Sequence, residues 1–182
     1  CKIIDEKIGG SFKIEVDKSY TITQNYLNNT AILKTNFRNN ENEFEVLDFM
    51  TRFRLDDKNF YNPPELQRII RPVRGLPKIK VLYNPTLEYA NGKTKTYKKE
   101  DFIVSVFEEA SYETLFLYTD IEKNKILENK EFELAEPVYL NLSYNEKIDV
   151  PNLEKSNLEL EKTKEYWINW CKKAVSYTHL RA

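Results

Sequence analysis

Few residues in this chain can do chemistry, and their spacing works against most reactions. One histidine, His179, and two cysteines near opposite ends, Cys1 and Cys171, are all the imidazole and thiol present. They cannot supply a zinc site, and a nucleophilic pair would have to be one of those cysteines with His179. Four glycines leave no phosphate-cradling loop, dinucleotide fingerprint or nucleophile elbow. Glycoside hydrolysis needs only two carboxylates, and the 29 acidic residues offer many pairs. Most of them alternate with apolar residues, as Glu43, Glu45 and Asp48 do around Phe44 and Val46, which is the pattern of solvated outer faces.

Five arginines, Arg52, Arg54, Arg68, Arg71 and Arg74, fall in one stretch. Guanidinium forks match phosphate oxygens. Asp48, Asp56, Asp57 and Glu65 interleave with them, however, so pairing within the domain or across to a neighbouring domain is the expected use. Tyr61 is a candidate for stacking on a sugar ring, although most of the aromatic residues must be core. Sequons begin at Asn28 and Asn141 and carry no weight in so Asn-rich a chain.

The composition sets the frame for these residues. The 182 residues are 41% hydrophobic and 13% aromatic, enough for one well-filled core and unlike a disordered chain. A net charge of −1 provides no global field for nucleic acid or an anionic membrane, and neither is an expected partner. No apolar run reaches the roughly 20 residues that cross a bilayer. Both cysteines read as free thiols, and no metal or cofactor is expected.

Short apolar stretches separated by Asn, Asp, Gly and Pro predict an antiparallel two-sheet sandwich. Phe12–Val16 and Ile79–Tyr83 alternate cleanly and read as strands with one wet face. Phe102–Phe107 and Leu115–Tyr118 are apolar on both faces and read as covered twice. Asn91-Gly92 predicts a type I′ hairpin that sets Glu88 opposite Lys95. Near the end the period changes. Ser156 and Glu159 have the spacing of a capping box, followed by an apolar stripe at Leu160, Trp167, Trp170, Cys171 and Ala174.

Three segments, Ile32–Phe37, Phe44–Met50 and Leu66–Pro77, followed by Ile79–Pro85 and Leu87-Glu88-Tyr89, resemble the N-terminal domain of bacterial and archaeal glycoside hydrolase family 15 proteins, the glucoamylase and trehalase-like enzymes. The last of these stands where the family usually has Phe-Asp-Tyr-Gly. Leu160–Trp170 is similar to the helix that leads, in that family, into a catalytic (α/α) barrel. The resemblance implies a mainly β, antiparallel supersandwich over 1–150, truncated at its start, and a linker helix over 151–174. Residues 175–182 resemble a translated sequencing adapter, which would remove His179 from consideration.

By the same resemblance the domain is non-catalytic. Its expected partner is the barrel of the same polypeptide, which would hydrolyse terminal α-glucosidic bonds of an oligo- or disaccharide with inversion and release glucose. Trp167, Trp170, Arg52 and Arg54 are the expected interdomain contacts, and a cytoplasmic location is expected. The alternative is a free-standing carbohydrate-binding sandwich.

Overall fold

The computed structural model describes residues 7–109 and 112–179, with side chains as far as 173. Thirteen strands and two helices follow one another along the described residues. An eight-stranded antiparallel sheet is built from β2 (Thr21–Tyr26), β3 (Leu33–Arg38), β4 (Glu43–Met50), β7 (Glu65–Arg74), β13 (Val138–Tyr144), β11 (Thr114–Thr119), β10 (Phe102–Phe107) and β9 (Thr94–Lys98), in that spatial order. A smaller sheet joins β1 (Ser11–Glu15), β8 (Lys78–Asn84) and β12 (Phe132–Glu133), and β5 (Phe53–Arg54) and β6 (Phe60–Tyr61) form a short ribbon. The chain is therefore mainly β, in a lopsided sandwich of eight strands against three.

Period-two alternation explains how the sheets pack. In β8, Ile79, Val81 and Tyr83 turn inward while Lys78 and Asn84 face water. They meet Phe44, Val46, Ile70, Ile103, Leu117 and Leu140 from the large sheet, and Ile126 of the short helix α1 (Lys123–Leu127) closes the edge. Phe37 stacks on Phe44 with ring centres 4.5 Å apart. Both strands expected to be covered twice, β10 and β11, are so covered: Ile103 and Leu117 face the small sheet, and Phe102, Val104 and Tyr118 pack on the opposite side.

That opposite side is closed by the last part of the chain. The segment 145–152 is strapped down by two tyrosine hydroxyls. Tyr118 accepts from the Ile148 N–H at 3.1 Å, and Tyr139 donates to the Pro151 carbonyl at 2.6 Å. The helix α2 (Leu153–His179) then runs over Ile32, Leu47, Phe49 and Ile69, with Leu153 and Leu160 as its apolar contacts.

Two local expectations are overturned. Asn91-Gly92 makes no two-residue hairpin. Instead β9 pairs with β10, which places Lys95 opposite Val106 rather than Glu88. The reason is burial, since β10 offers a largely buried ladder partner, with Ser105 bonded to Thr96 across the ladder, while Leu87–Ala90 contributes one buried side chain, Leu87. Glu88, Tyr89 and Ala90 instead turn through three consecutive positive φ angles of 47°, 54° and 65°.

The helix also starts earlier than the proposed capping box. Asn152 accepts from the Lys155 N–H through Oδ1 at 2.8 Å, the bond expected of an N-cap, and Ser156 and Glu159 lie inside the helix, buried. The helix extends to His179, past the expected limit at 174, and residues 180–182 and Cys1 lie outside the described residues.

Candidate functional site

A helix of 27 residues is about 40 Å long, and its apolar contacts with the sheet, Leu153 and Leu160, lie in its first turns. The consequence shows along one stripe at helical spacing. Ser156, Leu160 and Thr163 are buried, Trp167 is half-buried, and Trp170 is 54% exposed. Of the two indoles expected at an interdomain contact, Trp170 is thus the exposed one. Trp167 packs edge-on against Tyr166 and Trp170, its neighbours on the same helix, and joins none of the buried clusters of the sheets.

Beside this outer half of α2 the ribbon β5–β6 forms the second wall of a groove of about 850 Å³. Phe53, Phe60, Leu55, Tyr166 and Trp170 provide its apolar lining; Arg54, Lys162, Lys172 and Lys173 provide four cations against one carboxylate, Glu165. The wall is held by Arg52. Its Nε donates to the Tyr166 hydroxyl at 3.0 Å, and its guanidinium lies over the rings of Phe60 at 5.0 Å and Tyr166 at 5.4 Å. The Arg52 backbone N–H donates to Thr163 Oγ1 at 3.1 Å, fixing the same turn of helix. Arg54 also sits over Phe60, and Lys162 over Phe53. Such cation–π contacts contribute about 0.5–1 kcal/mol each at exposed sites.

All four residues expected at an interdomain contact thus come together. Arg54 and Trp170 line the groove, and Arg52 and Trp167 support it through Tyr166. Phe53, Phe60, Tyr166 and Lys162 were not anticipated. The signal for Tyr166 was present in the sequence, one position before Trp167 on the helix.

The arginine stretch divides differently from the expectation. Only Arg68 pairs with one of the interleaved carboxylates, making two bonds to Asp48 at 2.6 and 3.1 Å. Arg71 lies 3.8 Å from Glu45 and donates to Asn157, and Arg74 donates to the Asn39 carbonyl. Asp56 is taken up by its own turn, through the N–H groups of Lys58 and Asn59. Arg52 and Arg54 find aromatic faces, because the ribbon brings Phe60 within reach.

Tyr61 is not a free sugar platform. It is half-buried against Phe53, and burial first, then the charges of Glu159, Glu65 and Glu146, push its hydroxyl up to about 12. Asn141 is buried, so the sequon there is closed to modification in the folded chain.

Cys171 is a free thiol. Among the described residues no group of three or more His, Cys, Asp or Glu is placed to hold a metal ion, and no helix is long and apolar enough to cross a membrane. No family model, curated protein or solved structure matches the chain.

Proposed function

We propose that this chain is the non-catalytic N-terminal sandwich domain of a glucoamylase-like glycoside hydrolase, and that the outer half of α2 with its groove is where the catalytic (α/α) barrel of the same polypeptide seats. The observation that carries the docking half of this reading is the stripe on α2, buried at Leu160 and Thr163 and emerging at Trp170 beside an apolar, cationic groove. An indole held half in water at a preformed groove suits a contact surface. The glycosidase half rests on the resemblance of the segments between Ile32 and Tyr89 and of the helix at Leu160–Trp170. In this reading the parent enzyme hydrolyses terminal α-glucosidic bonds in the cytoplasm, where a free thiol such as Cys171 is at home. Glu65 and Glu159 are buried between α2 and the sheet and do not line the groove, which fits a domain without an acid–base pair open to substrate.

The experiment is to recover the reading frame beyond residue 174 from genomic DNA, express the following domain separately and titrate it with this chain. Binding is expected, and it should weaken at least tenfold when Trp170→Ala and Arg54→Ala are combined. A following sequence with no helical catalytic domain, or turnover of maltose, starch or trehalose by this chain alone, overturns the proposal.

One observation favours the alternative, a carbohydrate-binding sandwich. Phe60, Tyr166 and Trp170 share the groove with Asn169 and Glu165, which are hydrogen-bonding groups for a sugar. The exposed tyrosines Tyr26, Tyr89, Tyr97, Tyr112 and Tyr144, by contrast, are spread over separate strands and loops and form no row on one sheet. Calorimetric titration with maltoheptaose separates the two readings, since heat of binding by this chain alone belongs only to the alternative.

A further inference from the structure

Beneath the inner half of α2 lies a polar cluster that the docking reading leaves unused. Glu65 and Gln67 rise from β7, Asn141 from β13 directly opposite Gln67, Thr51 from just beyond β4, and Glu159 descends from the helix. Glu65 is 3% exposed, Glu159 6%, Gln67 1% and Asn141 2%. The Asn141 amide donates to Glu65 Oε2 at 2.6 Å. The Gln67 amide donates to Glu159 Oε2 and to Thr51 Oγ1, and Thr51 in turn donates to Glu159 at 3.2 Å.

Two features of this cluster do not balance. Neither carboxylate has a Lys or Arg ion-pair partner among the described residues, although a buried anion is costly without one. The other ends of the two amides, Gln67 Oε1 and Asn141 Oδ1, are buried acceptors with no donor. A carboxylate only accepts, whereas a protonated carboxyl also donates, and an amide can present either end. One proton on Glu65 therefore removes one of the two buried charges and supplies one of the two missing donors. A metal ion would leave the amide N–H groups facing their carboxylates, and those carboxylates already belong to the amides.

We propose that Glu65 holds a proton in the folded chain and that the seating of α2 on the sheet is thereby coupled to pH, tight when Glu65 carries its proton and looser as it ionises beside Glu159 of the helix. The charged and titratable groups around Glu65 are Tyr61 from β6, Glu146 after β13, and Lys155 and Glu159 on α2. Burial pushes the Glu65 carboxyl above its ordinary value; the Asn141 bond opposes this, Glu159 adds to it, Lys155 opposes it and Glu146 adds to it. A carboxyl raised in the fold binds its proton more tightly there than in the unfolded chain. Stability is then greatest below the ordinary carboxyl range and falls as pH rises through the folded value. Because Lys162, Tyr166 and Trp170 ride on the same helix, loosening it moves one wall of the groove.

The test is hydrogen exchange of the whole chain from pH 4.5 to 8 at constant ionic strength, read at 153–163 and compared with β10. After correction for intrinsic exchange, opening of α2 should rise with pH, by up to about tenfold per unit, the limit for one linked proton. β10 should change less. Asp120, also raised by burial, sits at the Tyr139 N–H, so the Asp120→Asn variant shows whether any slope belongs there instead. Glu65→Gln should make opening of α2 independent of pH and hold it at the slow, low-pH level. A flat wild-type profile overturns the proposal, as does a slope abolished by Asp120→Asn. So does faster opening in the Glu65→Gln variant at pH 7.5 when 1 mM CaCl2 or MgCl2 slows opening in the wild type, a result that assigns neutralisation to a cation.

Discussion

The two faces of the eight-stranded sheet are covered by different chemistry. Toward the small sheet the contact is apolar but for one buried bond between the Tyr83 hydroxyl and Ser105 Oγ, with Phe44, Val46, Ile70, Ile103, Leu117 and Leu140 meeting Ile79, Val81 and Tyr83. Toward α2 the apolar set of Ile32, Leu47, Phe49, Ile69 and Leu160 gives way to Thr51, Glu65, Gln67, Asn141, Glu159 and Thr163, all buried. Apolar burial is non-directional and insensitive to pH, so the first face is fixed. Each buried polar group on the second face needs its own partner, so small changes in protonation or partner act on it first. The difference separates a scaffold from a joint.

The largest expected effect is on the apolar face. Phe44 is fully buried and stacked on Phe37. Phe44→Ala should cost about 3–5 kcal/mol, a fall in thermal midpoint of roughly 10 °C for a chain of this size. Loss of the β signal and of helix docking should coincide. A fall of only a degree or two would show that the two sheets do not share this core.

An intermediate effect is expected where the joint begins. Asn152→Ala should cost about 1 kcal/mol by removing the cap at Lys155. Ser156→Ala should cost less, since Ser156 is an interior helical position and alanine is the better helix former. The reverse order in denaturant titrations would move the helix start to Ser156.

How much of this was legible in the sequence follows the same division. Strands with one wet face, such as β8, announce themselves by alternation, and β10 and β11 by being apolar on both sides, because those patterns are set by burial alone. The helix was legible from its stripe, but its start was not. Ser156 and Glu159 carry capping-box spacing, yet they are polar because they face the buried polar half of the sheet, and the cue of Asn152 immediately before Leu153 was the better one. The hairpin at Asn91-Gly92 was misread because local turn chemistry yielded to β10 as a pairing partner. The four residues expected at an interdomain contact lie at or behind one groove. Their partners could not be read, since a guanidinium 5.0 Å over the ring of Phe60 exists only once the ribbon has folded. The Glu65–Glu159 cluster left no separate mark, being composed of ordinary polar positions on β7, β13 and α2.

The smallest effect on stability is expected at Trp170. Its covered half lies against Trp167, three positions earlier on the same helix, at 6.0 Å between ring centres. Pairs of that kind stabilise a helix by only about 0.2–0.5 kcal/mol. Trp170→Ala should therefore shift the thermal midpoint by no more than about 1–2 °C. The same change should remove most of the tryptophan fluorescence that iodide can quench, because Trp167 is shielded by Tyr166 and Trp170→Phe keeps an aromatic shield in place for comparison. A loss of stability above about 1 kcal/mol at high protein concentration, vanishing on dilution, would show that Trp170 is already covered by a second copy of the chain. A loss of the same size at every concentration would place the indole inside this domain, make α2 wholly its own helix, and remove the groove as a surface waiting for a partner.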